Sequence, residues 1–438
     1  MFQKIKSYLR KILSEDFILW THKVRGMLAL FLYGNPSKTM KVIGVTGTNG
    51  KTTTCHIINE ILSGSEAKVG MLTTIDFQIG EEVEVNESKM TTLNPFILQK
   101  KLSQMSKAGC DYAIVETTSH AIEQYRNWGI KYHTVVLTNI THDHLDYHKT
   151  FKSYRASKLK LFENNPEVSV INRDDESWQY FQEKEASKKY FYAIENYADL
   201  ITRKFGVIAK KIILKSDRTL FTLITPEGQI AIDTPLTGKF NVYNTLAAVC
   251  VGLGENIPLE KIKESLEDLK NISGRMQRLD YGQNFDVIVD FAHTPDGLKN
   301  VFEAVKPSVS GRLIHVGGAT GNRDKSKRPI LGALAGKYAD IVIVTNEDPY
   351  SEDPESIINA VALGVPRGGK EGKNKIINKN FFKISNRKSA IMKAIQMAKF
   401  GDLVLITGKG CETKMAVGEN KFIPWSDVEI VKEFLKGK

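Results

Sequence analysis

Three observations predict an α/β protein built in three parts. A strand-like run, KVIGVTG at 41–47, enters the glycine-rich turn GTNGKT and continues into the helical TTTCHIINEIL. Two short apolar strands, YAIVE and TVVLTN, end in Glu116 and Asn139. Ligands of open α/β sheets sit beyond strand ends of that kind. After Gly274 the β/α alternation starts again, which puts a boundary near 276–284. The reading is a helical extension over 1–38, a central phosphate-loop (P-loop) domain over 39–278 and a Rossmann-like C-terminal domain over 279–438. A length of 438 residues agrees, at roughly 150 residues per domain.

Composition narrows the class. Apolar residues make up 42% and charged residues 25%, as in soluble globular proteins. Disordered, collagenous and multi-span membrane classes are excluded. The formal charge of +11 suits anionic partners. No arginine/aromatic interleaving supports nucleic acid among them. Cys55, Cys110, Cys250 and Cys411 lack CxxC spacing, which argues against a zinc ribbon or disulfide framework and fits a reducing cytoplasm.

Along the chain, residues 17–33 are apolar but interrupted by His22, Lys23 and Arg25, with no cleavage site and too short an apolar run to cross a bilayer. An amphipathic helix packed on the next domain is expected. The alternative is an interfacial helix at the inner membrane face, because Lys4, Lys6, Arg10 and Lys11 precede it. AKVGMLTT reads as a strand. FILQKKLSQMSKAG reads as a helix stopped by Gly109, with Leu98, Leu102 and Met105 on one face. Antiparallel strands are expected over 206–233, turning at Glu227-Gly228, and two helices over 241–269, broken at Pro258. Later strands fall at 285–291, 312–317, 340–345 and 402–407, with a surface loop over 364–375. No tandem repeat is present.

The chemistry concentrates in two places. Gly47, Thr48, Asn49, Gly50, Lys51 and Thr52 follow a strand and open a helix, so backbone N–H groups can cradle phosphate. Lys51 would reach the β- and γ-phosphates, and Thr52 would offer its hydroxyl to Mg²⁺. The loop is a shortened form, with Val45 where a first glycine usually stands. THDHLDYH at 141–148 holds His142, His144, His148, Asp143 and Asp146. The familiar metal-hydrolase spacing HxHxDH is missed by one residue, because Tyr147 intervenes. One histidine assisting a Mg²⁺ site is expected, with the others capping and orienting the loop.

GTNGKTT, ETTSH, TNITHDHLDYH, SKLKLF, GKFNVYN, GRMQRLD, DFAHTPD, GNRDKSKRP and GKGCE together resemble the Mur ligase family, in family order from about residue 41 to the C-terminus. Within it they are most similar to the branch that adds a diamino acid as third peptide residue to UDP-N-acetylmuramoyl-L-alanyl-D-glutamate. The resemblance implies an ATP-dependent acid–amino-acid ligase of cell-wall synthesis, monomeric and cytoplasmic, working through an acyl-phosphate. It implies a phosphate cradle that includes Thr53, a Mg²⁺ site with Thr52, Glu116 and His144, and a carbamylated Lys158 supporting that site. It aligns Asn241, Asn244 and Asp290 with nucleotide contacts and Arg275 with the transferring phosphate. Thr91 and Thr92 resemble the uridine-diphosphate pocket, although Leu93-Asn94 separate them from Pro95. Thr118, Ser119, His120 and Arg126 match the muramoyl-peptide stretch, and His293 is a further site residue.

Two departures from the family shape the expectation. Family members carry an N-terminal domain that grips the UDP end, whereas about forty residues precede the phosphate loop here. The central domain, a partner or a membrane-bound substrate is expected to replace its contacts. The amino-acid motif reads Glu347-Asp348-Pro349-Tyr350, so Tyr350 replaces an arginine that pairs with a distal carboxylate. Arg323, Gly408 and Glu412 keep their family positions. An acidic pocket favours lysine or ornithine, with diaminopimelate still open. A folate polyglutamate ligase and a catalytically idle nucleotide-binding subunit are the rival readings.

Overall fold

The computed structural model describes residues 14–195, 205–368, 374–418 and 420–437. Lys4, Lys6, Arg10 and Lys11 lie outside the described residues, as does part of the 364–375 loop.

The first sheet holds β1 (Lys41–Thr46), β2 (Val69–Leu72), β3 (Asp76–Ile79), β4 (Glu82–Val85), β5 (Tyr112–Glu116), β6 (Tyr132–Leu137), β7 (Val168–Asn172), β8 (Lys188–Ile194), β9 (Gly206–Leu214), β10 (Thr219–Thr225) and β11 (Gly228–Thr234). Their order is β11-β10-β9-β8-β7-β6-β1-β5-β2-β3-β4. The strands from β9 to β2 are parallel, and antiparallel hairpins extend both edges. β1 is buried from Val42 to Thr46 because both faces are covered, with Lys41 exposed at its start. Ile43 and Val45 enter one core layer and Val42 the other.

Helix α1 (Glu15–Tyr33) precedes this sheet, and α2 (Lys51–Gly64) and α3 (Pro95–Lys107) cover it. Gly109, at φ 74°, follows the end of α3, and Leu98, Leu102 and Met105 are buried as expected. The helices Lys239–Gly254 and Leu259–Glu267 meet at Pro258.

The second sheet holds β12 (Gln277–Arg278), β13 (Asp286–Asp290), β14 (Leu313–Gly317), β15 (Ile341–Thr345), β16 (Phe381–Ile384) and β17 (Leu403–Thr407), ordered β12-β13-β17-β14-β15-β16. All pairs but β12–β13 are parallel. A hairpin of β18 (Lys414–Gly418) and β19 (Lys421–Pro424) stands apart. The expected strands at 285–291, 312–317, 340–345 and 402–407 are all present.

The sequence reading missed β3, β4, β7, β8, β12, β16 and the β18–β19 hairpin. β4 is only four residues, EVEV, and every one is exposed.

Helix α1 departs from the expected amphipathic pattern. Ser14 caps it, its hydroxyl accepting from the Phe17 N–H at 3.3 Å, and Gly34 ends it at φ 71°. One side lies on the domain. A Cβ on Gly26 would come within 2.6 Å of Trp128 Cβ, and Lys23 Nζ sits 4.7 Å from the Trp128 ring. The outward side is apolar instead of polar. Among the described residues, no helix is long and apolar enough to cross a membrane.

Candidate active site

β1 ends at Thr46 and the chain turns through Gly47–Gly50 into α2. Gly50 has φ 83°, and a Cβ there would collide with the Asn244 carboxamide, so the position excludes a side chain twice over. Asn139, beyond β6, holds the loop: the Thr48 N–H donates to its carbonyl at 2.8 Å and the Asn49 N–H to its side-chain oxygen at 3.0 Å.

Two lysines meet one carbonyl in this loop. Lys51 Nζ donates to Gly47 O at 3.1 Å and to Thr48 O at 2.8 Å, while Lys158 Nζ donates to Gly47 O at 2.7 Å. Lys158 is fully buried, over the Tyr154 ring. Burial, with Lys51 nearby, drives its ammonium well below the ordinary lysine value. Burial also lowers Lys51, and Arg275 adds to the effect against the attraction of Glu116. Converging buried cations make this an anion-seeking site.

Glu116 closes β5 beside them. Its Oε2 accepts from Thr52 Oγ at 2.9 Å and from the Thr74 N–H and hydroxyl at 2.9 and 3.0 Å. Arg275 Nη2 donates to Thr52 Oγ at 3.0 Å. His144, at φ 55°, begins the short helix Leu145–His148, 3.3 Å from Asp143. Burial holds its imidazole at about 3 against the pull of Asp143, so it is uncharged at neutral pH. Glu116, Thr52 and His144 line one cleft. Oxygen donors and a neutral imidazole there suit a Mg²⁺ ion. No compact cluster of three or more His, Cys, Asp or Glu ligands is present among the described residues. Of the other histidines in this loop, His148 Nε2 bonds Ser119 Oγ at 3.0 Å, and His142 is exposed, 3.8 Å from Asp324.

The cleft, about 240 Å³, runs between the two sheets from Thr48–Thr52 to Arg323, Glu347, Asp348, Tyr350, Gly408 and Glu412, with Thr91, Thr118 and His293 on its walls. Burial pushes His293 down to about 4. A second cavity of about 550 Å³ opens on the other side of the loop and contains Thr53, Asn241, Asn244, Arg275 and Asp290. Asp290 accepts from the Met276 and Ala292 N–H groups, both at 2.7 Å. Asn49, Gly50 and Arg275 border both spaces. Asn49 Nδ2 donates to Asp296 Oδ2 at 2.8 Å, tying the loop to the second sheet's domain.

Some expected substrate residues lie elsewhere. Thr92 is buried, its hydroxyl donating to Glu116 O at 2.9 Å while accepting from the Thr118 N–H at 3.0 Å. Ser119 is spent on His148. His120 packs 4.3 Å from the Tyr147 ring, and burial lowers it to about 4. Arg126 donates to Thr92 O at 2.8 Å and faces a separate groove shared with His22 and Arg25.

The acidic amino-acid pocket needs correction. Asp348 accepts from the buried Lys409 ammonium at 3.0 Å through both oxygens, and Glu412 pairs with the same ammonium. Lys89 reaches across from the first sheet, 3.1 Å from Asp348 and 3.5 Å from Glu412. Arg323 lies 5.7 Å from the Tyr350 ring centre. Cations therefore balance the carboxylates, and the charge argument for a lysine-like substrate fails. Lys89, Lys409 and Thr74 escaped the sequence reading. Lys409 sits inside GKGCE, but Lys89 carries no motif signal.

Residues 45–252 match the Mur ligase middle domain, and residues 274–410 match the Mur ligase glutamate ligase domain. The chain belongs to the Mur ligase family. Members of this family are ATP-dependent ligases that also require Mg²⁺. Among the relatives of this Mur ligase is the UDP-N-acetylmuramoyl-L-alanyl-D-glutamate–2,6-diaminopimelate ligase of Bacillus cereus. It is 38% identical over 426 residues, covering 95% of this chain and 82% of the relative. The UDP-N-acetylmuramyl-tripeptide synthetase of a Roseiflexus species is 38% identical over 91% of this chain and 79% of its own length. A solved 2,6-diaminopimelate ligase superposes with TM-score 0.63 at 29% identity, covering 97% of this chain and 84% of its own. Folylpolyglutamate synthase of Mycobacterium tuberculosis shares the fold, with TM-score 0.70 at 17% identity over 88% and 92% of the two chains.

Proposed function

We propose that this Mur ligase joins a diamino acid to UDP-N-acetylmuramoyl-L-alanyl-D-glutamate in the cytoplasm, with ATP cleavage driving amide formation. The observation that carries the reading is continuity. One cleft links the phosphate loop and its lysines to the carboxylates and cations at Asp348, Glu412, Lys89 and Arg323.

In this reading the adenosine of ATP occupies the larger cavity beside Asn241, Asn244 and Asp290, and the phosphates cross the loop. Lys51 neutralises the β- and γ-phosphates, and Arg275 faces the phosphoryl group in transit. Thr52, Glu116 and His144 would hold Mg²⁺, which would neutralise charge on the phosphate oxygens. The substrate carboxylate attacks the γ-phosphorus and ADP departs, leaving an acyl-phosphate. The incoming amine adds to its carbonyl carbon, and phosphate leaves from the tetrahedral intermediate. The protein contributes orientation and charge stabilisation. Lys158, its proton affinity lowered by burial, is suited to react with CO₂ as a neutral amine. The resulting carbamate, its proton released to solvent, would place an anion beside Lys51 and support the Mg²⁺ site.

The balanced pocket suits an amino acid whose far end carries both an ammonium and a carboxylate, so meso-diaminopimelate is the proposed substrate. Asp348 and Glu412 face the ammonium, and Lys89 and Arg323 face the carboxylate. Thr91 and Thr118 line the peptide side. Phosphate release measured with ATP, Mg²⁺ and the UDP-dipeptide should rise with meso-diaminopimelate and much less with L-lysine or L-ornithine. Equal rates with and without every amino acid would sink the proposal.

A further inference from the structure

α1 presents an uncovered apolar face. Phe17, Trp20, Met27, Leu28, Phe31 and Leu32 are between 45% and 88% exposed, with Phe31 the most exposed. Together with the half-buried Val24 they span an arc of about 140° at the helical 100° per residue. The opposite side, at Gly26 and Ala29, is buried on the domain. A helix apolar on both sides needs a cover on each.

Charge identifies that cover. Residues 1–13, MFQKIKSYLRKIL, contain Lys4, Lys6, Arg10 and Lys11 and no acid. An exposed tryptophan beside a cationic segment matches the chemistry of a bilayer interface with anionic headgroups. A second copy of the chain would supply the apolar face but no anionic surface for that segment. We propose that α1 docks this enzyme on an anionic membrane surface, its apolar face entering the interface. This docking stands independently of the amino acid that the enzyme adds.

Co-sedimentation of the full chain with vesicles tests it, using phosphatidylglycerol–phosphatidylcholine mixtures against phosphatidylcholine alone. Binding should be at least tenfold stronger to the anionic vesicles and should weaken with salt. Trp20 fluorescence should shift to the blue on binding. Trp20→Glu with Phe31→Glu should abolish sedimentation while phosphate release from soluble substrates continues, which shows that the variant is folded. Replacing Lys4, Lys6, Arg10 and Lys11 by Gln should remove the preference for anionic lipid. The docking is overturned if the chain stays in the supernatant with anionic vesicles, or if Trp20→Glu/Phe31→Glu binds them as the parent does. Sedimentation of a dimer that this double variant dissociates, without vesicle binding, would instead make the face a contact between copies.

Discussion

At Lys158 a fully buried amine donates to a carbonyl that Lys51 also uses, and burial beside Lys51 favours its neutral form, the form that the proposed carbamate requires. Lys158→Ala should therefore reduce turnover by 10²-fold or more, while circular dichroism and melting temperature stay close to those of the parent. Near-normal activity would remove a carbamate from the reaction. Lys89 is the second decisive residue, because its ammonium crosses from one domain to the carboxylates of the other. Lys89→Met should raise the KM for the amino acid about tenfold, or about 1.4 kcal/mol, and leave the KM for ATP unchanged. An equal rise in both would show that Lys89 acts on domain geometry instead of on the amino acid. The loop residues and Glu116 were legible in the sequence because phosphate chemistry fixes both residue type and spacing. Lys89 was not, because a lone lysine before a threonine pair has no local signature and acquires its meaning from a residue 259 positions away.

The elements around the phosphate loop are held by a polar anchor at the far end of the sheet. Glu255 follows the Lys239–Gly254 helix. It accepts from Lys41 of β1, from Tyr112 Oη of β5 at 3.0 Å and from Thr134 of β6 at 3.5 Å, and it pairs with His133 at 3.0 Å. Burial raises its carboxyl, but the hydrogen bonds from His133 and Lys41 outweigh that and bring it to about 2. A carboxylate whose value falls on folding stabilises the fold above its unfolded value near 4.3, and that contribution is lost as pH falls toward 2. The contribution is of the order of 3 kcal/mol. Glu255→Gln should lower stability at pH 7 by a large part of it and flatten the acid limb of a urea-denaturation series between pH 5 and 2. An unchanged acid limb would contradict the anchor. The parallel strands β1, β2, β5, β6, β13, β14, β15 and β17 were legible as apolar runs, whereas β7, β8 and β16 were missed. The β10–β11 edge hairpin was expected, but β3–β4 and β18–β19 were not: β4 is four residues of alternating Glu and Val, all exposed, and β18–β19 meets the other domain, as when Lys414 pairs with Glu87 at 2.8 Å.

Across the whole molecule, two α/β units converge on one cleft, joined by Asn49–Asp296 on the nucleotide side and by Lys89–Asp348 on the amino-acid side. In the proposed reaction neither unit suffices alone: the phosphate loop sits on the first, and Asp348 and Glu412 on the second. The family was readable from motif order, because most of its motifs occupy strand ends or helix starts, with SKLKLF, in a helix, as an exception. The balance of charge was not readable, because Lys409 and Lys89 lie far from Asp348 in sequence and become its neighbours only in the folded chain. The measurement that tests the central claim is isotope transfer. UDP-dipeptide labelled with ¹⁸O in its glutamyl carboxylates is turned over with ATP, Mg²⁺ and meso-diaminopimelate, and the released phosphate is analysed by mass spectrometry. One ¹⁸O in each phosphate formed is the predicted result, since the carboxylate oxygen that attacks phosphorus leaves with it. Amide product accompanied by unlabelled phosphate would contradict an acyl-phosphate in this cleft.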